Sequence, residues 1–330
     1  MSSTVERVEW LPFEYRLGRR SYGCDRVRAG ARAGTLVRLT TSDGAVGWGE
    51  CFGPPRIITA YLEELAPRVV GRPVDRRESL VLDELQSHYL FTSGGLHVAA
   101  LSGVEMALWD ALGRGLGVSV ADLLGGRLTD CVQAYASTGY VTADCDRGEF
   151  REQLEVAAAE GFTDMKIKIG LGVKEDRHRA EVTRDVIGPT GRLMVDFNGN
   201  HPVDVAYDRL ARLRDLDLYW AEEPIQPEDT AGWAHLRRLG IPLAGGEALY
   251  TRFGFRDVIA EHRLDIVQPD VTTCGGFTES KVVAQMAVAW NVRVAPHCWG
   301  SALSQAATLQ LIASLPRSPS GPFGAEPIMF

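Results

Sequence analysis

After Gly126 the chain settles into a rhythm that few folds can satisfy: a short apolar run, an amphipathic stretch, another short apolar run. The runs are "VQAYAS" (132–137), "MKIKIG" (165–170), "LMVDFN" (193–198), "LYWAEEP" (218–224), "IPLAGGE" (241–247), "DIVQPD" (265–270), "VRVAPH" (292–297) and, as an eighth, "FGAEP" (323–327). Between them lie helical stretches such as "DVAYDRLARLRDL" and "ESKVVAQMAVAWN". Parallel strands need long crossover connections, and a helix supplies one. Eight strands separated by helices predict an α/β fold, a closed TIM-type (β/α)7β barrel. The units share little sequence, so a solenoid of repeats is not expected.

The first third reads differently. "TLVRLTTSDGAVGWGE" is a hairpin about Asp43-Gly44, the favoured turn chemistry for that geometry. "LSGVEMALWDALGRGLG" is a helix, with Leu101, Val104, Leu108 and Ala111 on one face. Gly125-Gly126 closes the region. Two domains are therefore expected: an α+β unit over 1–126 and the barrel over 127–330.

Bulk properties exclude several classes. The 330 residues, 45% hydrophobic and 24% charged, suit a globular chain with one large α/β domain or two. A net charge of −8 and the lack of a basic patch argue against nucleic-acid binding. No apolar run approaches a membrane span, and "MSSTVERVEW" is no signal peptide. Six scattered cysteines without a CxxC pair fit a reducing cytoplasm and argue against a structural zinc or disulfide scaffold.

Barrel active sites lie at the C-terminal strand ends, and polar residues stand there in step. Lys166 and Lys168 end the second run, Asp196 and Asn198 the third, Glu222 and Glu223 the fourth, Glu247 the fifth, Asp270 the sixth and His297 the seventh; Glu326 follows in the eighth. From Lys168 to His297 the steps are 23 to 28 residues, about one strand–helix unit each. Ionisable groups ending six successive buried strands have no packing rationale. Asp196, Glu222 and Glu247 should converge and repel, so a cation is expected; all-oxygen donors suggest a hard ion such as Mg²⁺. Asp270 beside His297 would hold its tautomer for acid/base work.

Lysine is scarce: Lys166, Lys168, Lys174 and Lys281 are all there are, and half sit in one strand. Side chains alternate, so Lys166 and Lys168 share the inward face and Ile167 points out. An amine crowded by a second ammonium and a divalent metal should have a lowered pKa and act as a base, which arginine cannot do. The metal would stabilise the enediolate left when a proton is removed next to a carboxylate.

With these residues in place the chain resembles the mandelate racemase/muconate lactonizing enzyme branch of the enolase superfamily, over essentially its whole length. "GWGE" and "LSGVEMALWDALG" look like that family's capping domain. "KIKIG" resembles its Lys-x-Lys motif, "VDFN", "EEP" and "GGE" its metal-ligand strands, and "QPD" and "PHCWG" its Asp-His dyad. "LAGGEALYTRFGFRD", "DIVQPDVTTCGGFTE" and "EPIMF" look most like D-galactarolactone cycloisomerases and acid-sugar dehydratases. Sites of this superfamily use a Lys or His base with Mg²⁺. The resemblance implies Lys168 as base on one face and His297 as acid/base on the other. It implies Lys166 holding the substrate carboxylate and Glu222 as the ligand within "EEP". Chains of the family run on after the counterpart of "EPIMF" and return to the cap; this one stops at Phe330, so that return is expected to be absent.

Plainer readings stand beside these. A lone K-x-K is most often a solvated strand edge, though Met165, Ile167 and Ile169 argue otherwise. Asp270, before Thr272-Thr273, can cap the next helix. Glu223 reads as a salt-bridge partner, and Asn198 as a tuner of the metal shell or a turn residue. Trp299 and Tyr22 are candidates for the substrate pocket, and cap residues 16–30 and 50–57 are expected to set specificity. The leading expectation is proton abstraction from an acid sugar followed by β-elimination of water. Lactone cycloisomerisation comes next, then racemisation. Two other classes compete: a silent sugar-acid-binding barrel, which would need neither base, and a Schiff-base aldolase, which would want a phosphate loop that "HCWGSALSQ" does not supply. The partner is a small carboxylate, and a homo-oligomer is expected.

Overall fold

The computed structural model describes residues 3–18, 22–23, 28–87, 94–142, 146–199 and 201–316. Its cap runs β1 (Val5–Arg16), β2 (Tyr22–Gly23), β3 (Arg28–Ala29), β4 (Ala31–Thr41), β5 (Val46–Cys51), α1 (Pro55–Val69), α2 (Arg77–Ser87), α3 (Leu96–Leu116) and the single turn α4 (Val120–Leu123). Strands β1, β4 and β5 form an antiparallel sheet. The β4–β5 hairpin closes at Asp43-Gly44, where Gly44 takes φ +87° and Thr41 N–H reaches the Ala45 carbonyl at 2.9 Å.

The glycines of "GWGE" have a packing cause. A Cβ on Gly49 would fall 1.9 Å from the Gly103 carbonyl of α3, and one on Gly47 would fall 2.0 Å from that of Ala107. Strand and helix backbones therefore touch, and Leu101, Val104, Leu108 and Ala111 are buried there as their spacing predicts.

The barrel follows: β6 (Ala136–Thr138), β7 (Val141–Thr142), α5 (Arg147–Ala159), β8 (Met165–Lys168), α6 (Val173–Ile187), β9 (Leu193–Asp196), α7 (Val203–Ala211), β10 (Leu218–Glu222), α8 (Thr230–Leu236), β11 (Leu243–Gly245), α9 (Thr251–Ala260), β12 (Ile266–Val267), α10 (Gly276–Ala289), β13 (Arg293–Val294) and α11 (Ala302–Ala313). Seven strands pair in parallel in the order β6-β8-β9-β10-β11-β12-β13. The first run forms a strand later than predicted, at 136–138, because pairing with β8 begins at Ala136 opposite Met165. The eighth run, with Glu326 and any C-terminal return, lies outside the described residues.

Alternation splits the core in two. Met194, Trp220, Ala244, Ile266 and Ala295 pack inside with Tyr135, so the sheet curls about one interior. Ile167, Val195, Ala221, Leu243 and Val267 face the helices. A small sheet, β3-β2-β7, pairs Gly23 of the cap with Val141 just past β6, which sets the cap excursion at the barrel mouth. Among the described residues no helix is long and apolar enough to cross a membrane.

Candidate active site

The polar strand ends converge at that mouth. Parallel register sets Lys168 beside Asp196 and Asp196 beside Glu222, at one height on β8, β9 and β10. The chain turns sharply next to each carboxylate: Asn198 has φ +49°, Glu223 φ +39° and Gly246 φ +118°. Positive φ is uncommon away from glycine, so Asn198 and Glu223 hold strained backbone at the site.

The side chains form one paired network. Lys166 donates to Glu222 Oε1 and stands 3.8 Å from Asp196 Oδ2. Lys168 donates to Asp196 Oδ2 at 2.5 Å. Glu222 Oε2 accepts from the Trp220 indole at 3.1 Å and the Gln268 amide at 2.7 Å. Asn198 bridges two carboxylates, its backbone N–H to Asp196 at 2.9 Å and its amide to Glu247 at 3.4 Å. His297 Nδ1 donates to Asp270 at 2.7 Å, and its Nε2 lies 3.1 Å from Glu247. Asp270 does not cap the next helix, whose N-cap is Gly275; its other oxygen instead holds the turn before that helix, accepting the Thr272 N–H at 2.7 Å and the Thr272 hydroxyl at 2.6 Å.

These pairings set the charges. Burial opposes ionisation of Asp196, but Lys168 and then Lys166 outweigh it and bring its pKa to about 2. Burial also disfavours the His297 imidazolium, yet Glu247 and the Asp270 hydrogen bond push its pKa up to about 9. Burial pushes the Glu223 carboxyl well above its usual range, and Glu247 and Asp196 add repulsion. For Lys168 the outcome corrects the expectation of a lowered pKa. Burial lowers it, and Lys166 lowers it too, but the Asp196 carboxylate in contact leaves it raised.

Among the described residues, no three His, Cys, Asp or Glu side chains already stand grouped to hold a metal ion. Asp196, Glu222 and Glu247 are each turned to an internal cation instead. The donor set nonetheless fits a hard divalent cation. Five carboxylates, Asp196, Glu222, Glu223, Glu247 and Asp270, face Lys166, Lys168 and His297, all buried or partly buried. Even with His297 protonated and the Glu223 carboxyl left neutral, carboxylates outnumber cations by one, and buried unpaired charge is costly.

A cavity of about 500 Å³ opens over the network, lined by Lys168, Asn198, Glu247, Asp270, His297 and Trp299. Gly23, Ala29 and Phe52 of the cap also line it, within the two segments expected to set specificity. Tyr22 contributes backbone to β2, next to Gly23. Sequence reasoning missed Tyr140, whose ring centre lies 5.9 Å from Lys168 Nζ, as well as Tyr250 and Gln226. Tyr140 closely follows the first barrel strand, so the strand-end rule applied there would have found it. Trp220 and Gln268 were hidden because only their contact with Glu222 marks them.

Comparison with known proteins matches the chain in two segments. Residues 29–125 match the pattern of the mandelate racemase / muconate lactonizing enzyme N-terminal domain, and residues 149–323 that of the enolase C-terminal domain-like family. The chain is 38% identical over 307 residues to D-galactarolactone cycloisomerase of Agrobacterium fabrum, covering 92% of this chain and 81% of that protein. It is 30% identical over 284 residues to arabinonate dehydratase of Saccharolobus solfataricus, covering 84% and 76%. Its fold is similar to the crystal structure of 3,6-anhydro-D-galactonate cycloisomerase from Zobellia galactanivorans, with TM-score 0.87, 31% identity and coverage of 94% and 85%. The chain belongs to the mandelate racemase/muconate lactonizing enzyme branch of the enolase superfamily, and it is a lyase or isomerase of that superfamily.

Proposed function

We propose that the enzyme removes the α-proton of an acid sugar and expels a β-substituent, most simply as a dehydratase. The observation that carries this reading is the pairing of two different proton carriers over one cavity. Lys168 on β8 and His297 beyond β13 both line it, and the three carboxylate strands lie between theirs in the sheet. Burial disfavours the His297 imidazolium, but the Asp270 hydrogen bond and charge favour it and remain when Glu247 turns to a metal, which suits an acid that helps hydroxide leave. Lys168 accepts a proton once Asp196 turns away, which removes the strongest of the partners that keep its pKa up and leaves burial and Lys166 to lower it. Lys166 then faces the substrate carboxylate. Mg²⁺ held by Asp196, Glu222 and Glu247 would neutralise charge growing on that carboxylate. Asp270 orients His297, Asn198 steadies two of the carboxylates, and Trp299 walls the cavity beside Phe52.

A lactone cycloisomerase is the second reading, favoured by the 38% identity to a D-galactarolactone cycloisomerase. A carboxylate leaves more easily than hydroxide and needs less acid. The division at Gly126, a cytoplasmic setting and a homo-oligomer belong to the same proposal.

The test is ¹H NMR in D₂O with Mg²⁺ against D-galactonate, D-arabinonate, other aldonates and D-galactarolactone. Dehydration predicts that His297→Asn still exchanges the α-proton but releases no water. Exchange and product formation that both survive favour the lactone. Loss of exchange itself would make His297 the abstracting base.

A further inference from the structure

His297 lies in the connection 295–301, between β13 and α11. One end is anchored in the barrel, where Ala295 N–H donates to the Val267 carbonyl at 3.0 Å. The other end is held from the cap. Glu50, last residue of "GWGE", is 2% exposed. Its Oε1 accepts the Ser301 backbone N–H at 2.9 Å, and its Oε2 accepts the Ser301 hydroxyl at 2.5 Å and the Ser304 N–H at 3.2 Å.

Ser301 is the N-cap of α11, and its hydroxyl accepts the Leu303 N–H at 3.1 Å. The first N–H groups of a helix lack partners within it. A glutamate of the same helix often reaches back to the cap residue's N–H; here a glutamate from another domain does so. Its charge also meets the positive end of the helix dipole. The fit leaves no room at Gly300, where a Cβ would come within 2.7 Å of Glu50 Oε1. Two other cap residues touch the same connection. Phe52 meets Trp299 edge-on at 5.6 Å, and the Arg32 guanidinium lies 4.8 Å over the Trp299 ring.

Glu105 shows what a purely structural clamp looks like here. This buried α3 carboxylate accepts the Phe277 and Thr278 N–H groups of α10 at 2.8 and 3.0 Å, and it is not among the residues lining the cavity. Glu50 uses the same device on the connection that carries the acid.

We propose that Glu50 is a positioning residue for His297: from the cap it fixes the connection 295–301 and so sets the reach of the imidazole into the cavity. The inference rests on the reading of His297 as the acid.

Two measurements on Glu50→Ala, Glu50→Gln, His297→Asn and Glu105→Ala test it. The first is NMR of ¹⁵N-histidine-labelled protein, with the His297 ring signals assigned by their loss in His297→Asn. Glu50→Ala should shift those signals and Glu105→Ala should not; unshifted signals in Glu50→Ala overturn the proposal whatever the substrate. The second compares α-proton exchange with product formation on D-galactonate and D-galactarolactone. Glu50→Ala should lose product formation by about 10²-fold, the cost of a misplacement of ~1 Å, with exchange and KM little changed. Glu50→Gln, which keeps one accepting oxygen, should fall between. If His297→Asn separates the two rates and Glu50→Ala does not, Glu50 has no positioning role. If His297→Asn itself fails to separate them, the reading of His297 falls, and the ring signals alone decide whether Glu50 places it.

Discussion

At the scale of single residues, the site is a set of charges that hold one another in check. Lys168 cannot accept a proton while Asp196 touches it, so what matters is that its charge can be given up. Arginine cannot do that at any accessible pH. Lys168→Arg should therefore lose α-proton exchange as fully as Lys168→Ala, by about 10²–10⁴-fold; substantial turnover in the arginine variant would make the residue electrostatic only. Trp220 offers a quieter test. Its indole and the Gln268 amide share one oxygen of Glu222. Trp220→Phe removes one donor and keeps most of the buried bulk. Mg²⁺ affinity by titration calorimetry should fall about 10-fold, as for other partners of ligand carboxylates; unchanged affinity would show that Gln268 suffices.

At the scale of elements, two contacts make predictions of their own. The β5–α3 contact leaves no space for a methyl group at Gly49. Gly49→Ala should cost at least about 1–3 kcal/mol in urea unfolding, because backbone must move. The α3–α10 contact depends on pH through Glu105. Burial raises its pKa to about 7, against the hydrogen bonds from Thr278, Phe277 and Trp109, which lower it. A carboxyl whose pKa is higher folded than unfolded contributes stability below its ordinary value of 4.5, and that contribution disappears as pH rises through about 7. Wild-type stability should thus fall by up to about 3 kcal/mol across that window relative to Glu105→Gln; parallel pH profiles for the two proteins would contradict this. Much of this level was legible in the sequence. Apolar alternation placed Lys166 and Lys168 inward and Ile167 outward, and the even spacing brought Asp196, Glu222 and Glu247 to one mouth. Three things were not legible. The start of the first strand depends on pairing with β8 and not on its own residues. The raised Lys168 depends on which carboxylate it meets. Glu50 and Glu105 sit in motifs that read as cap sequence, and their partners lie more than 170 residues away.

At the scale of the whole molecule, buried negative charge exceeds buried positive charge at the mouth. A divalent cation should therefore stabilise the fold as well as support turnover. Mg²⁺ at about 100 times its Kd should add about 2.7 kcal/mol, read as a rise in Tm, and EDTA should abolish activity reversibly. Full activity after exhaustive chelation would overturn the assignment of the three carboxylates. The cavity is also built from two separately mutable parts. Its reacting groups end barrel strands, whereas Gly23, Ala29 and Phe52 come from the cap. On the proposed function, changes in the cap part would redirect which acid sugar is accepted while the proton-moving part is inherited intact. Glu50 limits that freedom, since it belongs to the cap and yet touches the acid's own loop. Drift in the cap is therefore tolerated at its cavity-facing residues and penalised at a side chain such as Glu50 that reaches across to that loop.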